Sequence, residues 1–496
     1  MKKYSLYIFI IILMSSGIYF HFSSCHEEMP NDCDQFGYLN LSKAFDEHKV
    51  FTAHANRPYL DDLLDTLRKS NLDEREFSWM VTPHAYYVLP HTNKVINMYS
   101  PGTSFVLHLI PIEYRKRMFP VLAIFFLLLF SIIALYRANN NTFGWADIIL
   151  LLFAFYITEI VPFRAEFERI NSLSITFGLL LAAGILLRNK PLLSCFLIAL
   201  SANFRYANLL LLLPIILFIP LPKVISVKKV FDIIKIGITY FVVTLIAILP
   251  HLIYTYFLLG NPFKSTYAAI DTAMSMDVLK NLNFYFNYSQ PWFIFHLLLV
   301  GVIAYFAYIQ KTTWRFVLSL LAFPVINYLF FIFKMVSMNY YPYGSAFILL
   351  GAILYILKDV NVSLQQAKRI QIACVFISFL TFSFGIISYS SKNHQSFIEA
   401  KNEVKGLCSY DIIWGDSYPG TSEYVCTNNG FRYTWSTMNA RIIAMKFLHN
   451  RKYSQAFILD EIPVDEKIIE SEIQSCNLLY HKIRDPHLGN ILIIDK

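Results

Sequence analysis

The chain has 496 residues, 56% of them hydrophobic and only 15% charged, with a mean hydropathy of +0.46. A soluble protein of this size carries about a quarter of its residues as charges, so the composition excludes an ordinary soluble enzyme and points to a multi-pass membrane protein. The formal net charge of +8 comes from 42 basic and 34 acidic side chains. No basic domain stands apart from the apolar runs, which argues against nucleic acid as a partner.

The first element is Lys2-Lys3 followed by an apolar run from Tyr4 to about Phe22. The run is longer than the apolar region of a signal peptide, and no small-residue cleavage pattern follows. It reads as an uncleaved first helix with its amino end cytoplasmic. Residues 23–117 form a polar first outer loop. Within it, Tyr99-Ser100-Pro101-Gly102 leads into an apolar stretch from Thr103 to Ile112. About ten residues cannot cross a hydrocarbon core of about 30 Å as a helix, so this stretch is expected to lie in the membrane surface.

Spans are then expected at about 118–136, 145–161, 172–187, 191–204, 206–221, 232–258, 291–310, 315–334, 342–357 and 370–390. With the first helix they make about 11 transmembrane helices. Arg137, Arg188/Lys190, Lys223/Lys228/Lys229, Lys311/Arg315 and Lys358/Lys368/Arg369 all fall on the side of Lys2-Lys3, as the positive-inside rule requires. Arg115-Lys116-Arg117 is a local exception left outside. From about Ser391 the pattern changes to short apolar runs at 412–414, 456–459 and 490–494, which read as strands, and a helical stretch from Ser436 to Asn450. The expected fold class is an α-helical polytopic membrane protein with a small C-terminal α/β extracytoplasmic domain. The division is 1–390, transmembrane and including the loop 23–117, and 391–496, soluble. The seven cysteines give no zinc spacing; Cys408 and Cys426 flank a turn region and could close a disulfide.

The residues able to do chemistry gather on the non-cytoplasmic side. In Asn31-Asp32-Cys33-Asp34-Gln35-Phe36-Gly37-Tyr38, a carboxylate at the interface could take a proton from an attacking hydroxyl, or could simply cap a helix. Arg164, Glu166, Glu168 and Arg169 form a charged loop between two spans; they either pair one turn apart or present a carboxylate and an arginine to a substrate. Arg205, in the polar break Asn203 to Asn208, could grip a phosphate with two parallel hydrogen bonds or snorkel to headgroups. The loop from Gly260 to Gln290 holds Tyr267, and the tyrosine-rich loop from Lys334 to Tyr343 holds Tyr341.

In layout these motifs resemble the GT-C superfamily of polytopic glycosyltransferases, which includes protein O-mannosyltransferases and lipid A aminoarabinose transferases. Asp34-Gln35-Phe36-Gly37-Tyr38 with Ala44 is similar to the start of the family's first outer loop, although Gln35 stands where a second acid is usual. Tyr99-Ser100-Pro101-Gly102-Thr103 is similar to the family's lead into a membrane-surface helix. Glu168, Arg205 and the run Pro250 to Tyr254, Gly260-Asn261-Pro262 and Tyr267 match further parts. The 338–344 segment lacks the arginine often found beside its tyrosine. The resemblance covers about 1–350 and leaves the tail from 391 without a recognisable family.

The resemblance implies inverting transfer of a sugar from a polyprenyl-phosphate donor to a glycan, lipid or protein acceptor at the outer face of a bilayer. Asp34 would be the base, with Glu168 orienting the acceptor or binding a metal. Arg205, with Arg164, Arg169 or Lys334, would hold the departing phosphate, and Tyr38, Tyr99, Tyr267 and Tyr341 would contact substrate. No obligatory cofactor is expected, although a divalent metal stays open at Glu168. The expected location is the bacterial inner membrane, with the N-terminus cytoplasmic and the C-terminus periplasmic. A transporter or flippase of lipid-linked precursors is the alternative; it would show inverted halves and mid-span charges, and neither is present in the sequence.

Overall fold

An apolar segment in lipid can satisfy its own backbone polar groups only as a helix. The long apolar stretches of this chain are helical wherever the computed structural model describes them; it describes residues 15, 33–50, 59–82, 85–89, 91–138, 147, 151, 170–219, 227–264, 266, 278–283, 290–309, 314–333, 343–359, 410–416, 430–485 and 489–496. The α-helices are α1 (Cys33–Asp46), α2 (Leu60–Lys69), α3 (Pro101–His108), α4 (Arg115–Ala138), α5 (Ser172–Leu186), α6 (Pro191–Ser201), α7 (Val227–Leu259), α8 (Val278–Asn283), α9 (Gln290–Ile309), α10 (Trp314–Ile332), α11 (Tyr343–Asp359), α12 (Met438–Asn450) and α13 (Glu466–Ser475). The chain divides into a helical unit, with residues 1–26, 100–254 and 272–388, and a mixed unit, with residues 27–99, 255–271 and 389–496. The expected division at residue 390 differs from this one, because residues 27–99 share contacts with the C-terminal strands.

In the helical unit α5 is the central element, and every one of its residues is buried. It lies against α4 and α11 with very small residues at the crossings. A Cβ on Gly178 would stand 2.8 Å from Leu127 Cα of α4, and Gly184 and Gly351 bring the backbones of α5 and α11 into direct contact. Lipid offers helices no hydrophobic gain on association, so close backbone approach through glycine supplies the packing energy instead. Asn171 caps α5, its side chain accepting the Ser174 N–H at 2.9 Å.

Two described segments, Ile112–Ala138 and Val230–Leu259, are long and apolar enough to cross a membrane. The second carries a row of exposed apolar side chains, among them Phe231, Ile238, Phe241 and Leu249, suited to contact with lipid tails. The expected span at 206–221 is instead a 3-10 helix over Tyr206–Phe218, with Pro214 inside it. At about 2.0 Å rise per residue these 13 residues reach about 26 Å, where an α-helix would reach about 20 Å. The tighter helix thus lets a short apolar run extend further. Arg115 is buried at the start of α4, and its Nε donates to the Ile110 carbonyl at 3.0 Å. The expected surface stretch 103–112 is helical in α3 as far as His108, and Phe105 on that helix and Leu109 just past its end are exposed. The expected first helix and the expected spans at 145–161 and 370–390 lie outside the described residues, apart from Ser15, Asp147 and Leu151.

The mixed unit holds an antiparallel pair, β1 (Tyr86–Val88) with β2 (Val95–Asn97), and a five-stranded mixed sheet. The sheet strands are β3 (Ile412–Trp414), β4 (Gly430–Phe431), β5 (Gln455–Ile458), β6 (His481–Asp485) and β7 (Gly489–Ile494), in the order β4-β3-β5-β7-β6. β3 runs parallel to β4 and β5; β7 is antiparallel to β5 and β6. Alternate residues face opposite sides of a strand. Trp414 therefore stacks flat on Phe457 at 5.3 Å on one face, while Ile413, Ala456, Ile458, Ile491 and Ile493 form a cluster on the other. The early and late segments are tied together by the Arg432 N–H bond to the Met80 carbonyl (3.0 Å), the Thr437 N–H bond to the Glu76 carbonyl (3.2 Å) and an Arg451–Asp62 pair at 2.8 Å. Cys195 and Cys476 are buried free thiols; Cys408 and Cys426 lie outside the described residues.

Candidate functional site

Asp34 falls in the first turn of α1. There the free N–H groups of a helix start favour an anion, so the capping and catalytic readings of this carboxylate use the same position. It is half-buried, and its Oδ1 accepts a hydrogen bond from the Tyr99 hydroxyl at 2.7 Å. Tyr99 is itself held rigidly. Its ring stacks on Tyr38 at 4.6 Å, and its N–H donates to Asn97 Oδ1 at 2.8 Å. Asn97 Nδ2 in turn donates to the Gly37 carbonyl at 2.9 Å, which ties the end of β2 to α1. Gly37 has to be glycine, because a Cβ there would clash with the Tyr99 ring and come within 2.5 Å of Ala85 Cβ. Ala85 is held at a φ of +71°, in the left-handed region that costs about 1 kcal/mol for a residue with a side chain. The loop after α7 docks on the same group. Gly260 ends the helix at φ +71°, Thr255 Oγ1 donates to the Pro262 carbonyl at 2.8 Å, and Thr266 Oγ1 donates to the Met98 carbonyl at 2.5 Å.

Arg205 belongs to the helical unit. It occupies the N-cap of the 3-10 helix in extended backbone, with φ −140°. The turn that carries it is fixed by Asn203. Pro250 interrupts the hydrogen-bond ladder of α7, because proline has no N–H and its ring crowds the carbonyl one turn back. Asn203 fills the gap. Its Oδ1 accepts the His251 N–H at 3.0 Å, and its Nδ2 donates to the Ala247 carbonyl at 2.7 Å. One side-chain amide thereby substitutes for the missing turn of ladder. Asn203 also accepts, through its own carbonyl, the Gly102 N–H from the start of α3 at 2.8 Å. Tyr206 lies beside His251 with ring centroids 5.2 Å apart. The polar residues around Arg205 thus position the backbone of its turn.

The structure brings Asp34, Tyr38 and Tyr99 together, and it brings residues 100–102 to the Arg205 turn. Glu168, Arg164, Arg169, Lys334, Tyr267 and Tyr341 lie outside the described residues. Among the described residues no group of three His, Cys, Asp or Glu side chains is placed to hold a metal ion. Sequence reasoning passed over Asn97 and gave Asn203, within the polar break, no role of its own. A proline inside an apolar run is the signal that could have found the second, since the broken ladder obliges some neighbouring polar group to repair it. Nothing comparable in the sequence marks Asn97.

No family model and no curated protein matches the sequence. Two solved structures match its fold. The crystal structure of ArnT from Cupriavidus metallidurans in the apo state is 8% identical, with a TM-score of 0.55, covering 100% of this chain and 98% of that one. The crystal structure of the same protein bound to undecaprenyl phosphate is 9% identical, with a TM-score of 0.51, covering 99% and 98%. At such identities the likeness is one of fold. The chain shares the helical fold of these two structures.

Proposed function

We propose that this protein is a membrane glycosyltransferase that moves a sugar from a polyprenyl-phosphate donor to an acceptor hydroxyl at the non-cytoplasmic face of the bilayer. The observation that carries the proposal is the Asp34 carboxylate, half-buried, held by a 2.7 Å hydrogen bond from Tyr99 and presented at the start of α1. The ArnT fold adds support, since one of the two matching structures contains undecaprenyl phosphate.

In the proposed reaction the acceptor oxygen attacks the anomeric carbon from the face opposite the phosphate. The acceptor O–H proton passes to Asp34, the carbon–oxygen bond to the phosphate breaks, and the configuration inverts. A carboxylate already oriented by Tyr99 takes the proton without first reorganising, which is how positioned bases contribute about 10²–10⁴ in rate. Arg205 stabilises the polyprenyl phosphate as it leaves, with Arg164, Arg169 and Lys334 as further cations, and Glu168 orients the acceptor. Tyr38, Tyr267 and Tyr341 complete the substrate contacts. The arrangement proposed in the membrane has about 11 transmembrane helices, a cytoplasmic N-terminus and a periplasmic C-terminus.

The test is a deletion strain whose lipid-linked sugars are profiled by mass spectrometry, complemented with variants. Loss of the protein should cause one polyprenyl-phosphate sugar to accumulate. Wild type should clear it, and Asp34→Asn should insert normally but transfer at least about 100-fold more slowly. Arg205→Ala should impair donor use more than acceptor use. Full transfer by Asp34→Asn would remove Asp34 as the base, and an unchanged lipid-linked sugar pool would remove the proposed reaction.

A further inference from the structure

The five-stranded sheet of the mixed unit places β3 between two parallel neighbours, β4 on one side and β5 on the other. The chain passes from β3 to β4, then crosses back through α12 to β5. Loops at the carboxyl ends of such strands diverge, and open α/β sheets bind their ligands in the crevice this leaves. Two segments stand at that end here: Gly415-Asp416 after β3, and Arg432 to Thr437 after β4.

Both segments carry unusual side chains. Asp416 Oδ2 accepts the Thr434 N–H at 2.5 Å, while its Oδ1 is buried and, among the described residues, has no donor. Burial pushes the Asp416 carboxyl above its usual range, against the pull of Thr434, Arg432 and Arg441. The next residue after Thr434 is Trp435, a residue 46% exposed. Its ring lies 5.6 Å from that of Trp79 with a tilt of 41°. The Arg432 guanidinium sits over both rings, at 5.1 Å from Trp79 and 5.3 Å from Trp435. Arg432 is only 3% exposed and is locked by bonds to the Thr82 carbonyl (3.1 Å), Thr82 Oγ1 (3.3 Å) and the Tyr86 carbonyl (3.4 Å). A buried, fully engaged cation thus fixes a pair of tryptophans, one of which stays exposed to water.

A half-exposed indole, one residue along from the Thr434 N–H that the Asp416 carboxylate holds, suits a sugar. One face of a pyranose presents a row of axial C–H groups, apolar and slightly positive, which match the negative face of an aromatic ring. The hydroxyls on its edge donate to carboxylate oxygens. A nucleotide would also stack, but would bring its phosphates against Asp416. We propose that Trp435 and Trp79, together with Asp416, form a saccharide subsite of the mixed unit, which holds a pyranose of the acceptor glycan. That the glycan is the acceptor rests on the proposed transfer; the existence of the subsite does not.

The experiment uses the full-length protein in lipid nanodiscs and methyl glycosides of glucose, galactose, mannose and N-acetylglucosamine as probes, followed by saturation-transfer NMR. At least one glycoside should receive saturation mainly at its axial ring protons, with binding weakened tenfold or more in Trp435→Ala, partly retained in Trp435→Phe and weakened in Asp416→Asn. In the wild type the same glycoside should protect Trp435 from oxidation by N-bromosuccinimide, mapped by mass spectrometry; this readout needs no variant. Asp34→Asn should bind the glycoside as the wild type does, which separates the subsite from the transfer chemistry. Absence of transfer to every glycoside, unchanged binding by Trp435→Ala, or protection by an unglycosylated peptide in place of the glycosides would each overturn the subsite.

Discussion

The repair of α7 by Asn203 can be measured. The His251 N–H and the Ala247 carbonyl belong to residues 3% and 2% exposed, and in an unbroken helix they would bond each other. They are bridged instead by the Asn203 amide at 3.0 and 2.7 Å. Asn203→Ala leaves both without a partner in apolar surroundings. A buried unsatisfied group costs about 1–3 kcal/mol, so two cost about 2–6 kcal/mol. Side-chain bonds measured inside membrane proteins run lower, at about 0.6 kcal/mol on average, because the chain finds other partners. An expected loss of about 2 kcal/mol lies between these limits. Pro250→Ala supplies the missing N–H and lets the ladder close by itself, so in that background Asn203→Ala should cost less than about 1 kcal/mol, with only the 2.9 Å bond to the Leu200 carbonyl left to lose. The assay is a double-mutant cycle on the full-length protein, unfolded by sodium dodecyl sulfate from mixed micelles, read by circular dichroism. A coupling of about 1–2 kcal/mol supports the substitution of ladder by side chain. Equal losses in the two backgrounds would refute it.

Other outcomes follow from the same geometry. Tyr99→Phe keeps the ring stacked on Tyr38 and deletes only the 2.7 Å bond to Asp34. A bond to a charged group is worth about 1.5–3 kcal/mol, so kcat should fall about 10- to 150-fold with the fold intact, and an undiminished kcat would remove Tyr99 from the site. Because burial raises the Asp416 pKa, folding favours its protonated form. The associated stability is complete at low pH and lost as pH rises through the raised value. Asp416→Asn should therefore melt above wild type at about pH 7 and together with it at about pH 3; a pH-independent difference would contradict that environment. Gly184→Val places side-chain atoms into the Ile348 carbonyl of α11 and should cost about 3 kcal/mol or prevent folded insertion, seen as a lost or lowered melting transition in micelles.

How much was legible depended on whether a residue's role is local. The apolar runs at 172–187, 232–258, 291–310, 315–334 and 342–357 became α5, α7, α9, α10 and α11 with small shifts of boundary. In lipid, hydrophobic length and internal hydrogen bonding decide such elements by themselves. The strands at 412–414, 456–459 and 490–494 were legible through their short apolar runs, and so was α12. The exposed β6, His481–Asp485, was not, because its polar residues carry no burial pattern. The 3-10 form of Tyr206–Phe218 also stayed hidden, since its apolar composition suits either helix.

Sequence alone marked the long apolar segments as helices of a membrane protein and singled out the short polar segments proposed to act chemically, because composition, periodicity and charge are properties each segment carries with it. Tertiary structure alone decided that Tyr99 bonds Asp34 across 65 positions, that Asn203 repairs a helix 48 residues later, and that Arg432 reaches Thr82 across 350. Those contacts depend on where the packed backbone happens to bring a donor within 3 Å or so of an acceptor, and no local pattern of residues encodes that meeting.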